Sequence, residues 1–325
     1  MFVPGDRPGA WVLIDDGEVA RLGGALAWAV RAGAVALDVV VDGSPVAGGI
    51  VARRAVCFRE PSVNVWSVSG TSLVAAVPSL VDADPASSRA SSPPADLVEV
   101  LLDAGLEVVW EHGVLRGEVL GLEVARTVGG RLEVGVGRHD RMARFEMRPS
   151  EPLSAALASA AEAVRARRRP GGAAHPAQSL ARGRWLRSVL VASPGLVGLT
   201  SLRPVAPPLP WFDLPEAGAA PAVGISAVSG ERVVVVCSVG VDLDLVPTAA
   251  DCWLLYGSGG SEGCEGSEVS GGSEVSGGSE VSGGSEVWVV VPEGDDLPIT
   301  RELALRCDPP VRVVTVPRGW ESLGA

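Results

Sequence analysis

The sequence predicts a mixed α/β and α+β fold in two parts. An N-terminal α+β domain with antiparallel hairpins precedes a small C-terminal parallel unit of β-α-β-α-β order. Three observations lead there. The runs RVVVVC (232–237), VWVVV (287–291) and VRVVTV (311–316) alternate with the helix-like DLVPTAADCWLLY and PITRELALRC. Unbroken valine runs of that length are what strands buried on both faces require, and helical crossovers make them parallel. Upstream, Gly129-Gly130 joins two alternating stretches, the signature of a two-residue antiparallel hairpin. Between the parts, residues 170–221 are rich in Pro, Gly and Arg and read as a connector.

Taken in order, GGALAWAVRAGA (23–34) reads as a short helix with glycine at each end. ALDVVVDG, VAGGIVARRAVCF and VNVWSVSGTSLVAAV read as three strands, separated by turn signals at Asp42-Gly43 and Pro61. VDADPASSRASSPPA (81–95) is a polar linker, and DLVEVLLDAG is a helix closed by Gly105. LEVVWEHG follows, with His112 in a turn, then the hairpin, then the Ala/Leu-rich helix SEPLSAALASAAEAVRARRR. The terminal arginines of that helix complement its dipole.

The two halves of the first domain, 1–80 and 95–169, thus echo one another as helix–strand–strand–strand, the pattern of a duplication. The linker 81–94 separates them. In the connector, QSLARGRWLRSVL (178–190) reads as a basic amphipathic helix and RPVAPPLPWFDLPEAGAAPA as a stiff Pro-rich segment. The final unit, 222–325, carries an insertion at 258–286 with three SEVSGG repeats. So few apolar positions cannot bury enough surface to order that insertion.

Composition bounds the chemistry. All 27 cationic Lys/Arg positions are arginine. Without lysine there is no Schiff base for PLP and no P-loop GxxxxGK[ST] for ATP or GTP. Enrichment in Ala, Gly, Val, Arg and Pro points to a GC-rich bacterial origin. Five scattered cysteines without CxxC suit reduced thiols. No basic-then-apolar leader opens the chain and no apolar run suffices for a membrane span, so a cytoplasmic location is expected. The net charge of −12 is uneven, since residues 116–187 hold 14 Arg against 7 acids.

Three groups of residues invite a functional reading. In the hairpin, the Gly129-Gly130 turn sets Val128 against Arg131, Arg126 against Glu133 and Glu118 against Arg141, with Val124 facing Gly135 and His139 facing Leu120. Such charge pairs are ordinary sheet stabilisers worth roughly 0.2–1 kcal/mol each. The order helix–strand–strand–strand–helix resembles the core of restriction-endonuclease-like nucleases, with Glu118 and Glu133 as the metal-binding acids. Glu133-Val134-Gly135 lacks the basic third residue of the (D/E)xK motif, however, and arginine cannot serve as a base.

In the C-terminal unit, Asp242 and Asp244 follow one strand, and Glu293, Asp295 and Asp296 follow the next. Ligands of open parallel sheets bind beyond the carboxyl ends of strands, where five such acids would suit Mg²⁺ or Mn²⁺. Acids just before Pro247 and Pro298 are equally what helix N-caps look like. In the basic middle, Arg167, Arg168, Arg169, Arg182 and Arg184 would grip phosphates, with Trp185 stacking on a base. No catalytic constellation is complete, so the leading expectation is a non-enzymatic interaction or adaptor protein with a protein partner. A metal-dependent phosphoester hydrolase and a weak nucleic-acid binder are the alternatives.

Overall fold

A computed structural model describes residues 9–15, 21–79, 93–147, 150–172, 175–209, 218–257 and 285–323. The SEVSGG insertion, most of the 81–94 linker, the middle of the Pro-rich segment and Cys264 lie outside the described residues. The described residues form a mixed α/β structure of three sheets. Among the described residues, no helix is long and apolar enough to cross a membrane.

The first sheet is built from β1 (Gly9–Asp15), β2 (Ala36–Asp42), β3 (Ser62–Ser69) and β4 (Ser72–Ala75), in that order. The first three strands are parallel, connected by α1 (Leu22–Arg31) and α2 (Pro45–Ala55), and β4 returns antiparallel. The stretch expected to be a strand, VAGGIVARRA, is therefore a helix. Ser44 Oγ accepts from the Ala47 N–H at 3.2 Å, and Pro45 occupies the first turn. Gly48-Gly49, which argues against a helix by propensity, lets this one lie close on its surroundings. A Cβ at Gly48 would come within 2.1 Å of Ser67 Oγ, and one at Gly49 within 3.1 Å of the Val77 carbonyl. The first segment is thus β-α-β-α-β-β, an order the second segment does not share.

That second segment is α3 (Ala95–Asp103), an antiparallel meander β5 (Glu107–Glu111), β6 (Val114–Val119), β7 (Leu122–Val128) and β8 (Arg131–Val134), then α4 (Gly137–Met147) and α5 (Leu153–Arg167). Two-residue turns join its strands at His112-Gly113, Leu120-Gly121 and Gly129-Gly130, each residue having positive φ. The hairpin register matches expectation as far as Val128 opposite Arg131, Arg126 opposite Glu133 and the Gly135 N–H on the Val124 carbonyl. Beyond it the chain turns into α4, with Asp140 accepting from the Val136 N–H at 2.8 Å. The expected cross-strand pairs of Glu118 with Arg141 and of Leu120 with His139 are consequently not formed. The apolar face of the meander packs Leu115, Val119, Leu122 and Val124 against Leu101 of α3 and Leu157, Ala161 and Val164 of α5.

After α6 (Pro176–Ser179) comes α7 (Arg182–Ala192), then the second sheet. Its strands are β9 (Leu199–Pro204), β10 (Ala220–Ser226), β11 (Arg232–Cys237), β12 (Glu286–Pro292) and β13 (Val311–Val316), in the order β13-β12-β11-β10-β9. As expected, β11, β12 and β13 are parallel, linked by α8 (Leu245–Tyr256) and α9 (Pro298–Leu305). The antiparallel β10 and β9 extend this sheet into the stretch read as connector.

Both faces of the second sheet are covered. On one, Val234, Val236, Val287, Val289 and Val291 join α8, α9, α1, α2 and the first sheet in a single core. On the other, Val233, Val235, Cys237, Trp288 and Val290 meet Trp185, Leu186, Val189 and Leu190 of α7. The helices of the first sheet therefore pack against those of the second, and α7 packs on its far side.

Candidate interaction surface and buried charge

Four of the five carboxylates after β11 and β12 are engaged one by one in local structure. Asp242 takes the Ser238 hydroxyl at 3.0 Å and the Asp244 N–H at 3.0 Å. Asp244 accepts from the Gly23 N–H at 2.9 Å, so it caps α1 from the opposite end of the chain. Gly23 is needed there because a Cβ would lie 1.9 Å from the Leu243 carbonyl oxygen. Asp295 accepts from the Gly240 N–H at 2.7 Å, Asp296 binds Arg301, and Glu293 is exposed. Burial raises Asp242 above the usual carboxylate range and pushes Asp244 up to about 6. Among the described residues, no group of three or more His, Cys, Asp or Glu is arranged to hold a metal ion.

The six residues proposed for nucleic acid do not share a surface. Arg168 is buried, donates to the carbonyls of Ala177 (2.7 Å), Leu120 and Leu180, and lies 4.9 Å from the Trp185 ring centroid. Burial pulls its pKa down to about 10. Trp185 is itself buried, edge-on to Trp320, so no base can stack on it. Arg184 is spent inside the protein as well. Arg167 and Arg169 donate to carbonyls of α5, and Arg182 pairs with Glu321.

Arg184 belongs to a charge network that the sequence does not announce. The polar face of the meander carries Glu111, Arg116 and Glu118, and all three are buried against α7. Arg184 donates to Glu111 at 2.5 Å and to Glu118, and Arg187 reaches Glu118 at 3.2 Å. Burial works to raise the Glu111 carboxyl, but the Arg184 and Arg187 charges outweigh it and hold the group below the usual range. Glu123 is held by three arginines, at 2.9 Å from Arg116, 2.5 Å from Arg126 and 3.1 Å from Arg141. Glu118 and Glu133, the acids of the nuclease comparison, are therefore not partners. One is committed to arginines and the other is half exposed at the edge strand.

A second buried cluster joins α2 to α8. Asp251, fully buried, accepts from Arg53 at 2.5 and 3.0 Å and from Arg54 at 3.2 Å. The thiols are equally withdrawn. Burial raises Cys57 to about 11 and Cys237 to about 12, and it raises Cys252 and Cys307 as well, so none of the four is a thiolate nucleophile at neutral pH.

What remains accessible is the outer face of the first sheet. Residues pointing inward, Ala10, Ile14, Leu37, Val39, Val41 and Val65, belong to the core. Alternation sends Trp11, Leu13 and Asp15 of β1, Asp38, Val40 and Asp42 of β2, and Asn64, Trp66 and Val68 of β3 the other way. The registers set Leu13, Val40, Trp66 and Ala75 in one row across four strands, and Trp11, Asp38 and Asn64 in the next. Asp38 accepts from Trp66 Nε1 at 2.9 Å and from Asn64 at 3.1 Å, which fixes the indole on the surface. Leu13 is 67 % exposed and Leu73 of β4 is 46 % exposed. The strands β1 to β4 contain three aspartates, all on this face, and no cationic residue.

Comparison of the chain with protein-family models, with curated proteins and with solved structures yields no match.

Proposed function

We propose that the protein is a non-enzymatic interaction module, and that the outer face of the first sheet docks a cationic amphipathic segment of a partner protein. One observation carries the reading. Parallel strands are ordinarily covered on both faces, whereas among the described residues helices cover only the inner face of this sheet, through α1 and α2. The outer face has the anatomy of an interface, with aromatic and aliphatic side chains in the middle and polar groups around them. Its charge is of one sign, so the matching partner presents apolar side chains flanked by Lys or Arg. The candidate arginines and four of the five C-terminal acids are engaged in local structure and the four described thiols are buried, which supports the same reading.

The test uses a synthetic amphipathic Leu/Lys helix and its Leu/Glu counterpart, titrated into the intact protein. The Leu/Lys peptide is expected to bind, and Leu13→Arg weakens it at least about tenfold, or ~1.4 kcal/mol. Leu13 is exposed, so the variant keeps the fold. Equal binding by wild type and Leu13→Arg overturns the proposal, and so does preference for the Leu/Glu peptide. Sedimentation of the two forms covers the other occupant: a wild-type dimer that Leu13→Arg dissociates assigns the face to a second copy of the chain.

A further inference from the structure

A separate site lies in the cleft where α4, α5 and α6 meet. The cavity there measures about 380 Å³, within the size range of small-molecule sites. Its floor is apolar, made by Ala160 and Val164 of α5 and Ala177 of α6. The alanines of α5, a plain helix-forming pattern in the sequence, thus leave room where larger side chains would fill the space.

Two arginines and a histidine ring the opening. Arg144, Arg167 and His175 line the cavity, with Asp140 the one carboxylate among the lining residues. Arg144 gives the most specific sign of a ligand. Its Nε and Nη1 atoms are buried and make no hydrogen bond among the described residues. The nearest carboxylates, Asp140 at 3.7 Å and Glu151 at 3.8 Å, stand beyond hydrogen-bond reach. Buried N–H groups left without an acceptor are costly, and charged ones more so.

His175 Nδ1 accepts from the Ala177 N–H at 3.1 Å. That bond assigns the proton of the neutral ring to Nε2, which makes the other nitrogen a donor. Arg167 spends Nη1 on the Ala163 carbonyl and keeps its remaining donors near the rim.

From this geometry we infer that the cleft binds a small organic anion, a carboxylate on a short aliphatic chain. The carboxylate accepts from Arg144, Arg167 and His175, and the chain lies over Ala160, Val164 and Ala177. An acceptor at the rim supplies the hydrogen bonds that Arg144 Nε and Nη1 lack among the described residues, and Arg167 adds a second guanidinium beside it. The chemistry calls for a planar carboxylate with an apolar tail, not for a bare inorganic anion, because the floor offers no donors.

The test is a titration of isotope-labelled full-length protein with hexanoate, read by amide chemical shifts. Hexan-1-ol provides the same chain without the charge, and inorganic phosphate the charge without the chain. Hexanoate is expected to saturate with a dissociation constant of about 1 mM or lower, shifting residues of α4, α5 and α6. Hexanol and phosphate bind at least about tenfold more weakly. Ala163→Leu, which narrows the cavity from the face of α5, and Arg167→Gln each weaken hexanoate while the rest of the spectrum stays unchanged. No saturable shift up to about 10 mM hexanoate refutes the site. Equal binding of hexanol refutes the anion, and shifts that survive Ala163→Leu place any binding elsewhere.

Discussion

Replacing Asp251 with alanine removes the anion at the centre of the α2–α8 contact, and its cost follows from what stays behind. The carboxylate is fully buried, and the Arg53 and Arg54 side chains are only 8 % and 5 % exposed. Three charge-assisted hydrogen bonds, at 2.5, 3.0 and 3.2 Å, disappear together. Arg53 keeps its bond to Ser79 at 3.0 Å, but neither guanidinium can shed its proton. Breaking a buried pair by removing one partner costs about 3–5 kcal/mol, a large part of a typical folding free energy of about 5–15 kcal/mol. Urea unfolding, followed by circular dichroism and by tryptophan fluorescence to check for coincident transitions, is expected to show a midpoint lower by about 1–2 M. The loss persists in about 0.5 M salt, because a buried pair is little screened. By contrast, Asp296→Asn, which breaks the exposed pair with Arg301, changes stability by less than ~1 kcal/mol. If Asp251→Ala loses less than about 1 kcal/mol, the α2–α8 contact is not an interlocked charge cluster and the argument fails.

Asp244 offers a pH test. Its folded pKa of about 6 stands above the ordinary value of 3.8, so the folded state binds the proton more tightly. The associated stability is fully present below pH 3.8 and is lost as pH rises through about 6. Asp244→Asn keeps an acceptor for Gly23 and is expected to stabilise the protein by about 1–3 kcal/mol at pH 7–8, with the gain vanishing near pH 4; a gain independent of pH contradicts the assignment. Arg184→Met leaves Glu111 and Glu118 buried against α7 with one cation fewer, at a cost of about 3–5 kcal/mol. Hydrogen exchange should rise in β5–β8 more than in β11–β13, and uniform acceleration across both sheets argues against a locally held meander.

The legible parts of the fold are those where burial leaves a periodic trace. The valine runs of β11, β12 and β13 read as parallel strands because both faces of the second sheet are covered, as Val233 to Val236 illustrate. Gly129-Gly130 locates one hairpin, but Leu120-Gly121 carries no comparable turn signal. Leucine rarely adopts the positive φ that this turn imposes, here 50°. The helix α2 is hidden by Gly48-Gly49 and by valines that favour strands, with its geometry decided instead by what packs on it.

The candidate site is less legible still. Asp244 and Gly23 are 221 positions apart, and Arg184 and Glu111 are 73 apart, so charges that look free along the chain are partnered across it. Trp11 lies in a stretch to which no element is assigned from the sequence. Without β1 in place, no pattern can reveal that Trp11, Leu13 and Trp66 share one face of the sheet. The arginine-rich middle is visibly basic, but charge counts along the chain cannot distinguish a solvated patch from cations enclosed between a sheet and a helix.

The shared core has a consequence for synthesis. The helical layer over the first sheet is completed by α8, which begins 190 positions after α2 ends at Ala55. At ribosomal rates of about 5–20 residues per second, that delay is roughly 10–40 s. Throughout it, the faces of α1 and α2 that belong against α8 and α9 wait for a partner still to be translated. The nascent first segment must therefore either stay loosely collapsed or be shielded, and a chain released before α8 is complete would expose apolar helix surface that the finished protein hides.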